Sequence, residues 1–305
     1  MTKMDKETLI AEIKKLKNEL NAVILAHYYQ RPEIQDIADI LGDSLALSRK
    51  AAETKADIIV FCGVNFMAET AAIVSPDKKV LIPEKNAGCY LADTITIKEL
   101  LELKEKHLQA EVVCYVNTTA AIKAESDICC TSSNSVKVVN SISQDKEIIF
   151  IPDKNLCSYT SKETNRNLIC FQGSCDTHTN IKTAEIEKIL SAHPQAKVMA
   201  HPECNPDVLE MADCVSSTAG MLKYAKASPA TEFIVATEVG IVHQLEFDNP
   251  EKDFYPIENA ICPTMKLITL ENLYTCLKEQ KYEVSINEAI AQKARESIKR
   301  MLEVK

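Results

Sequence analysis

The sequence predicts an α/β fold made of three homologous three-layer αβα sandwich domains, arranged with pseudo-threefold symmetry around a central site. The first observation behind this prediction is an internal repeat of short β-branched segments. Three such segments reach polar residues at His27, Tyr115 and His201, which are separated by 88 and 86 positions. The second observation is that helical patterns alternate with continuous apolar strands, as in parallel sheets covered on both faces.

Two further strands follow each of these segments with nearly the same period. The second strands end at Phe61, Phe150 and Val235, at separations of 89 and 85 positions. The third strands are predicted at 80–82, 168–171 and, more weakly, 254–257. Because three separate features share one period, we predict a triplicated unit of about 87 residues.

Helical patterns fill the intervals between the strands. Within the first unit, apolar residues recur at helical spacing at Ile34, Ile37, Ala38 and Leu41, and again at Leu45, Leu47, Ala51 and Ala52. The capping box Thr96-Ile-Lys-Glu99 predicts the start of another helix. Two extra helices are expected at 4–20 and at 286–303, the latter opened by the capping box Ser285-Ile-Asn-Glu288.

The repeat also gives the expected domain boundaries. We predict domains at residues 1–86, 87–172 and 173–264, with C-terminal helices within residues 265–305 packed on the first domain. Connecting segments rich in glycine or serine are missing from the sequence, so the domains are expected to pack against one another.

Composition excludes several classes of function. With 35 Lys and Arg against 44 Asp and Glu, the chain has a net charge of −9 and lacks the basic surface that nucleic acids and anionic membranes require. Its apolar runs are shorter than the roughly 18 residues of a membrane span. Only six glycines are present, without the Gly-rich patterns of dinucleotide or P-loop sites. Since the run Met1–Glu7 has no apolar core behind its charges, we expect no signal peptide and a cytoplasmic protein.

Polar residues occupy equivalent positions at the ends of the three first strands, where parallel α/β sheets bind ligands. These positions hold His27, Tyr115 and His201, and two residues later Tyr29, Asn117 and Glu203. Residues two apart leave a strand on the same side, so each pair is expected to point into one cavity. All six can form hydrogen bonds, and several can transfer protons.

Hydroxyl groups recur at the starts of three predicted helices. The segments are Gly42-Asp-Ser44, Thr131-Ser-Ser133 and Ser217-Thr218. Such residues are typical N-caps, and three helix N-termini that converge can also bind an anion. We therefore predict that these segments contact an anionic substrate through hydroxyl and backbone N–H groups.

Three of the twelve cysteines follow the same period. Cys89, Cys175 and Cys262 are separated by 86 and 87 positions and lie in turn-like segments. Three thiolates that meet on a pseudo-threefold axis suit an iron–sulfur cluster with one open iron, or a zinc site with three cysteine ligands. An open iron would act as a Lewis acid rather than as an electron carrier.

The remaining cysteines and histidines give weaker signals. Five cysteines in or beside apolar strands are interpreted as packing residues: Cys62, Cys114, Cys129, Cys170 and Cys214. Four have no periodic partner: Cys130, Cys157, Cys204 and Cys276. His107 and His193 are expected at the surface, and His243 in a structural hydrogen bond. His178, three residues after Cys175, fits either a contact with the site or an ordinary loop position.

Together these motifs resemble the quinolinate synthase family, the iron–sulfur enzymes of NAD biosynthesis, along essentially the whole chain. The resemblance rests on seven segments and the three spaced cysteines. The segments are Leu25-Ala-His-Tyr-Tyr-Gln30, Gly42-Asp-Ser44, Gly63-Val-Asn-Phe-Met-Ala-Glu69, Tyr115-Val-Asn117, Cys129-Cys-Thr-Ser-Ser-Asn134, His201-Pro-Glu-Cys204 and Thr237-Glu-Val-Gly240. Since Cys262-Pro-Thr-Met265 holds one candidate ligand, the chain is similar to the shorter family members rather than to those with a C-x-x-C-x-x-C arrangement.

The resemblance implies a reaction and a set of site residues. Iminosuccinate (iminoaspartate) would condense with dihydroxyacetone phosphate to give quinolinate, phosphate and water, at a [4Fe-4S] cluster held by Cys89, Cys175 and Cys262. Proton transfer would involve Tyr29, His201 and Glu203. The substrate-binding positions would be His27, Ser44, Tyr115, Asn117, Ser132, His201, Glu203, Ser217 and Thr218. The expected partners are these small molecules and the enzyme that supplies iminosuccinate, with no nucleic acid and no membrane.

Two other classes of function remain open on sequence alone. Diphthamide synthases also combine three domains with three cysteines, but they cleave S-adenosylmethionine by radical chemistry. A non-catalytic metal or redox sensor would need the three thiolates alone. The six polar residues at the strand ends favour an enzyme over a sensor, because a sensor needs no polar cavity.

Overall fold

Three four-stranded sheets, each wholly parallel, form the framework of the computed structural model, which describes residues 4–304. The α/β class and the three sandwich units predicted from the repeat are confirmed. Residues 1–3 and 305 lie outside the described residues, and with them the first part of the N-terminal run used above.

The first unit contains the sheet with strand order β2-β1-β3-β4. Its strands are β1 Ala22–His27, β2 Ile40–Gly42, β3 Ile58–Cys62 and β4 Lys79–Leu81. Its helices are α1 Lys6–Glu19, α2 Pro32–Ile37, α3 Ser44–Glu53 and α4 Asn65–Val74.

The second unit repeats this order as β6-β5-β7-β8. After a 3-10 helix, Ala92–Thr94, its helices are α5 Ile97–Lys106, α6 Ala120–Ala124, α7 Ser135–Ser141 and α8 Lys154–Thr164. Its strands are β5 Glu111–Tyr115, β6 Ile128–Cys130, β7 Ile148–Ile151 and β8 Ile169–Cys170.

The third unit has the order β10-β9-β11-β12. Its strands are β9 Lys197–Ala200, β10 Cys214–Val215, β11 Glu232–Ala236 and β12 Asp253–Pro256. Its helices are α9 Asp176–Thr179, α10 Thr183–Ala192, α11 Pro206–Glu210, α12 Thr218–Ala227 and α13 Ile241–Asp248. A 3-10 helix, Met265–Leu267, leads to α14 Leu270–Glu279 and α15 Glu288–Glu303.

The strand order determines where the site lies. In each sheet the first strand pairs with the second strand on one side and with the third on the other. The chain goes from the first strand to the second on one side and then crosses to the third on the other side. This change of direction opens a crevice at the carboxyl ends of β1, β5 and β9. His27 and Tyr115 are the last residues of β1 and β5, and His201 directly follows β9.

The short edge strands β2, β6 and β10 were not predicted. The helical pattern read through Leu41 is wrong at its end, because α2 stops at Ile37 and Ala38 is already extended. Residues 40–42 then pair with β1 in the register Leu25–Ile40. Each of the three missed strands holds only two or three residues between a helical pattern and a polar loop, so its composition does not mark it as a strand.

Of the two predicted capping boxes, the one at α5 is confirmed and the one at α15 is wrong. At α5 the capping box is confirmed, with Thr96 Oγ1 accepting from Glu99 N at 3.3 Å and Glu99 Oε2 accepting from Thr96 N at 2.9 Å. At α15 the predicted box is wrong, since the N-cap is Asn287, whose Oδ1 accepts from Ala289 N at 3.0 Å. Because the helix is capped two positions later than predicted, Ser285 lies outside its first turn.

The last two helices connect different parts of the molecule. Helix α14 packs on α1, whereas α15 packs on α6 and β6 of the second unit and on α4 of the first. Ser297 Oγ donates to Lys123 O at 2.8 Å, and Arg295 Nε donates to Ile73 O at 2.8 Å. The domain boundaries at 86, 172 and 264 stay a prediction. Among residues 4–304, the structure contains no helix with the length and apolar character needed to cross a membrane.

Candidate active site

The six polar strand-end residues line one cavity of about 350 Å³ between the three units. They are His27, Tyr29, Tyr115, Asn117, His201 and Glu203. Most of their side chains are buried, and the Oδ1 atom of Asn117 is fully enclosed without a hydrogen-bond partner among the described residues. A buried acceptor left unpaired costs free energy, so a ligand donor is the expected partner. The repeat therefore located the centre of the cavity correctly.

The two histidines of the set have the same orientation. His27 Nδ1 accepts from Tyr29 N at 3.1 Å, and His201 Nδ1 lies 3.4 Å from the N–H of Glu203. In each ring the other nitrogen, Nε2, therefore carries the hydrogen in the neutral form, and that of His201 lies 3.2 Å from Ser132 Oγ. Burial lowers the pKa of His27 to about 4 and that of His201 to about 3, so both rings are neutral donors near pH 7.

Glu203 is the buried carboxylate of the cavity. Its Oε1 accepts from the Tyr115 hydroxyl at 2.5 Å, and its Oε2 lies 2.8 Å from His178 Nδ1. Burial pushes its pKa upward, but the neighbouring His178 and His201 outweigh this, and the pKa falls below its usual range. A carboxylate at this position is therefore ionised and able to accept a proton.

A chain of hydrogen bonds links Glu203 to Tyr29. His178 Nε2 lies 2.8 Å from Thr237 Oγ1, which lies 2.6 Å from the Tyr29 hydroxyl. Burial, with the negative charge of Glu203, raises the pKa of Tyr29 well above its ordinary value, so the phenol stays protonated. The path from Glu203 through His178 and Thr237 to Tyr29 can carry a proton across the cavity.

Hydroxyl groups at three helix starts face the same cavity. Ser44 and Thr218 are the first residues of α3 and α12, and Ser132 lies three residues before α7. Ser217, predicted beside them, does not line this cavity, because its Oγ caps α12 through Gly220 N at 3.3 Å. It faces a neighbouring cavity instead.

The three periodic cysteines also meet at this cavity. Cys89, Cys175 and Cys262 line its wall and are half-buried. Burial raises the pKa of Cys89 to about 12, and burial together with Glu203 raises that of Cys175. Within residues 4–304, one group of three potential ligand atoms lies wholly within 4.8 Å, and it combines Cys175 with His178 and Glu203.

Two buried carboxylates hold the loops of two of these cysteines. Asp153 Oδ2 accepts from Cys175 N at 3.2 Å, and Glu238 Oε1 accepts from Cys262 N at 3.2 Å. Both carboxylates are fully buried. Lys266 Nζ lies 2.9 Å from Glu238 Oε1 and donates to Tyr29 O at 2.6 Å, so one ion pair joins the Cys262 loop to the Tyr29 loop.

The other cysteines and histidines follow the sequence analysis in part. Cys170, interpreted as a packing residue, forms a disulfide with Cys157, which has no periodic partner, and the bond joins β8 to α8. His243 is in a structural hydrogen bond, 2.7 Å from Asp36 Oδ1, as expected. His193 is half-buried rather than solvated, since it stacks on Tyr255 and lies 2.8 Å from Glu232.

Sequence reasoning left one residue of the site open and missed two others. His178 was left open between two interpretations, and its position three residues after Cys175 on α9 was the available signal. Thr237 and Glu238 lie in a segment quoted above, but neither was assigned to the site. A polar pair directly after the apolar strand β11 was the signal that could have identified them.

Comparisons with known proteins agree along the whole chain. The sequence profile of a family described as "NadA: Quinolinate synthetase A protein" matches residues 11–303. The chain is 53% identical over 303 residues to quinolinate synthase 1 of Methanosarcina acetivorans, covering 99% of each chain. It is 49% identical over 304 residues to quinolinate synthase of Alkaliphilus metalliredigens, covering 99% of this chain and 100% of that one. It is 51% identical over 302 residues to quinolinate synthase of a Nostoc species, covering 97% and 93%.

Proposed function

Because the chain belongs to the quinolinate synthase family of NAD biosynthesis, we propose that it condenses iminosuccinate with dihydroxyacetone phosphate to give quinolinate, phosphate and water. One observation carries the proposal. Three cysteines, six polar strand-end residues and three helix-start hydroxyl groups converge on a single cavity of about 350 Å³. That volume suits two small substrates rather than a macromolecule.

The donor set supports a [4Fe-4S] cluster held by Cys89, Cys175 and Cys262. Thiols whose pKa is raised by burial need a cation to ionise them, and coordination to a metal supplies it. One zinc ion would hold its sulfurs within about 4 Å of one another, given a Zn–S distance of about 2.3 Å. In the described part of the chain the three sulfurs do not all lie within 4.8 Å of one another, which favours a larger polynuclear group. When bound, such a cluster with one open iron supplies a Lewis acid.

Substrate binding is assigned to neutral donors. Both substrates are anions, and Ser44, Ser132 and Thr218 present hydroxyl groups near helix starts, where carboxylate and phosphate oxygens are favourably bound. His27 and His201 add neutral N–H donors, and Asn117 adds the acceptor that the protein leaves unpaired. These groups orient the substrates without a fixed positive charge, so the products can leave.

Proton transfer is assigned to Glu203 and Tyr29. The condensation needs a base that removes protons next to a carbonyl or imine carbon, and an acid that protonates leaving hydroxyl groups. Glu203 is the ionised base, held by Tyr115 and His178, and Tyr29 is the protonated acid. The path through His178 and Thr237 returns the proton from one to the other. His201, stacked on His178 with ring centroids 4.6 Å apart, keeps that ring in place.

The experiment that tests this function combines metal analysis with turnover. Protein purified without oxygen is expected to hold about four irons and four sulfides and to form quinolinate from the two substrates. Glu203→Gln is expected to keep the iron and lose turnover, whereas Glu232→Gln, at a half-exposed glutamate that pairs with His193, keeps both. Zinc in place of iron, or full turnover of Glu203→Gln, would contradict the proposal.

The same samples address the two alternatives. Cleavage of S-adenosylmethionine would favour the diphthamide-synthase-like reaction, and metal binding without any turnover would favour a sensor. We also propose a cytoplasmic location and contact with the enzyme that supplies iminosuccinate, because an imine hydrolyses in water. Faster quinolinate formation with that enzyme present than with the same flux of free substrate would support the contact.

A further inference from the structure

A second cavity, of about 840 Å³, lies on the outer side of the helix starts. Three basic residues line it, one from each repeat: Arg49, Lys137 and Lys223. Each stands five positions after one of the helix-start hydroxyl residues Ser44, Ser132 and Thr218. The repeat that brings three polar groups to the inner cavity therefore brings three cations to the outer one.

In the part of the chain that the structure describes, these three cations have no acidic partner. Within residues 4–304, no carboxylate oxygen lies within 4.0 Å of a side-chain nitrogen of Arg49, Lys137 or Lys223, and the hydrogen bond found for Arg49 is to Leu302 O at 3.5 Å. All three side chains are exposed, and the acidic groups on the same wall are Asp43 and Glu303. In a chain with nine more acidic than basic residues, a cavity with three unpaired cations is a local reversal of charge.

One layer of side chains separates this cavity from the reaction cavity. Ser133 Oγ donates to an Asp43 carboxylate oxygen and lies 2.8 Å from Ser217 Oγ. These three residues line the outer cavity, and Asp43 also lines the inner one. An anion held by the cations would therefore be separated from the reaction cavity by this layer alone.

We propose that Arg49, Lys137 and Lys223 form an outer binding site for the dianionic phosphate group of a small molecule. Arginine and lysine side chains that converge are the usual protein donors to phosphate. The identity of the molecule rests on the proposed function, whose substrate carries a phosphate ester and whose product is inorganic phosphate. The site captures the anion from solution and raises its local concentration at the reaction cavity, which increases the association rate.

The first experiment maps the site directly on the cluster-loaded protein. Lysines are acylated with an amine-reactive ester, and the modified residues are measured by mass spectrometry with inorganic phosphate, with dihydroxyacetone phosphate, and with chloride at equal ionic strength. Both phosphate compounds are expected to protect Lys137 and Lys223, and chloride is not. Lys226, an exposed lysine of α12 outside the cavity, is the internal control.

The second experiment measures the consequence for turnover. The variant Arg49→Gln/Lys137→Gln/Lys223→Gln is expected to lose about tenfold in kcat/KM for dihydroxyacetone phosphate at low ionic strength, with kcat unchanged and a smaller loss at high salt. Lys226→Gln should behave like the unmodified protein.

In the acylation experiment, protection of the lysines by both phosphate compounds would identify a substrate-capture site. Protection by inorganic phosphate alone would identify a product site and contradict the capture of substrate.

Equal acylation of Lys137 and Lys223 with and without both phosphate compounds would overturn the proposal. So would a triple variant whose kcat/KM has the same value and salt dependence as the unmodified protein. If the lysines are protected but quinolinate is never formed, the outer site stands and the proposed function fails. The two inferences can therefore fail separately.

Discussion

Replacing Lys266 should destabilise the protein more than replacing a surface lysine, because a buried carboxylate then loses its counter-ion. Glu238 has no exposed surface, and its two oxygens accept from Gly240 N at 2.7 Å, from Cys262 N at 3.2 Å and from Lys266 Nζ at 2.9 Å. In Lys266→Met the carboxylate keeps the two backbone donors and loses its counter-ion. The Tyr29 carbonyl also loses its donor.

The burial of the Lys266–Glu238 pair determines how much free energy of unfolding each change should cost. Breaking a buried ion pair by removing one partner costs about 3–5 kcal/mol. The Lys266 side chain keeps 19% of its surface exposed, so water reaches part of the pair and we expect the lower end, about 3 kcal/mol. Glu238→Gln removes the charge but turns its amide group toward a backbone N–H, and one unpaired donor costs about 1–3 kcal/mol.

The double variant isolates the pair itself. With both changes present, no buried charge is left without a counter-ion. The free energy of unfolding lost in the double variant should therefore be about 1–2 kcal/mol smaller than the sum of the losses in the two single variants. Urea unfolding followed by circular dichroism gives these values. Lys197→Met, in a half-exposed pair with Asp213 at 2.7 Å, is the matched control and should cost at most about 1 kcal/mol.

A result against the reasoning is easy to recognise. If Lys266→Met costs no more than Lys197→Met, or if the two changes at Glu238 and Lys266 are additive, the pair does not stabilise the fold. A second measurement follows from the contacts to Cys262 and Tyr29. Iron per chain should fall in Lys266→Met and stay unchanged in Lys197→Met.

Three further predictions concern the cysteines, the buried histidines and the second loop carboxylate. Cys89→Ala, Cys175→Ala and Cys262→Ala should each lose the cluster and turnover, and full iron, sulfide and turnover in any one of them would refute that ligand. Because burial lowers the pKa of His27 to about 4, only the unfolded chain binds a proton there between pH 6.5 and 4, so stability falls as the pH decreases through this range. At 1.36 kcal/mol per pKa unit the full loss from His27 is about 3 kcal/mol, of which about 2 kcal/mol falls between pH 7 and pH 5. His27→Gln should reduce the stability loss between these two pH values by about that amount and leave the share that comes from His201, whereas His243→Gln should leave the share of His27 unchanged, as urea unfolding can show. Asp153→Asn should shorten the lifetime of the bound cluster in air, followed by visible absorption, because the amide cannot accept from both Cys175 N and Leu156 N at 2.7 Å, and an unchanged lifetime would contradict this.

The parts of the fold and of the site that could be predicted from the sequence are those that recur in the three repeats. Apolar strands such as β3 and β7 are buried along their whole length, so their composition marks them without any knowledge of the fold. Equivalent strands end at equivalent places, which is why His27, Tyr115 and His201 could be assigned to one cavity before its shape was known. The edge strands β2, β6 and β10 were not predicted because each holds only two or three residues between a helical pattern and a polar loop, and their pairing depends on the neighbouring β1, β5 and β9. The equally short β4 and β8 were found because they lie in the apolar runs 80–82 and 168–171.

The site residues that the sequence analysis did not assign are those that differ between the three repeats. The position three residues after each periodic cysteine holds Ala92, His178 and Met265, so a search for equivalence does not select the histidine and left it open between two interpretations. Yet His178 contacts Glu203, Cys175 and Thr237 within about 3 Å, and it closes the proton path to Tyr29. A symmetric scaffold can gather three ligands around an axis, but a condensation needs a base on one side of the substrate and an acid on the other. The repeat therefore marked the positions of Tyr29 and Glu203, whereas it gave no reason to select His178, whose equivalents Ala92 and Met265 are apolar.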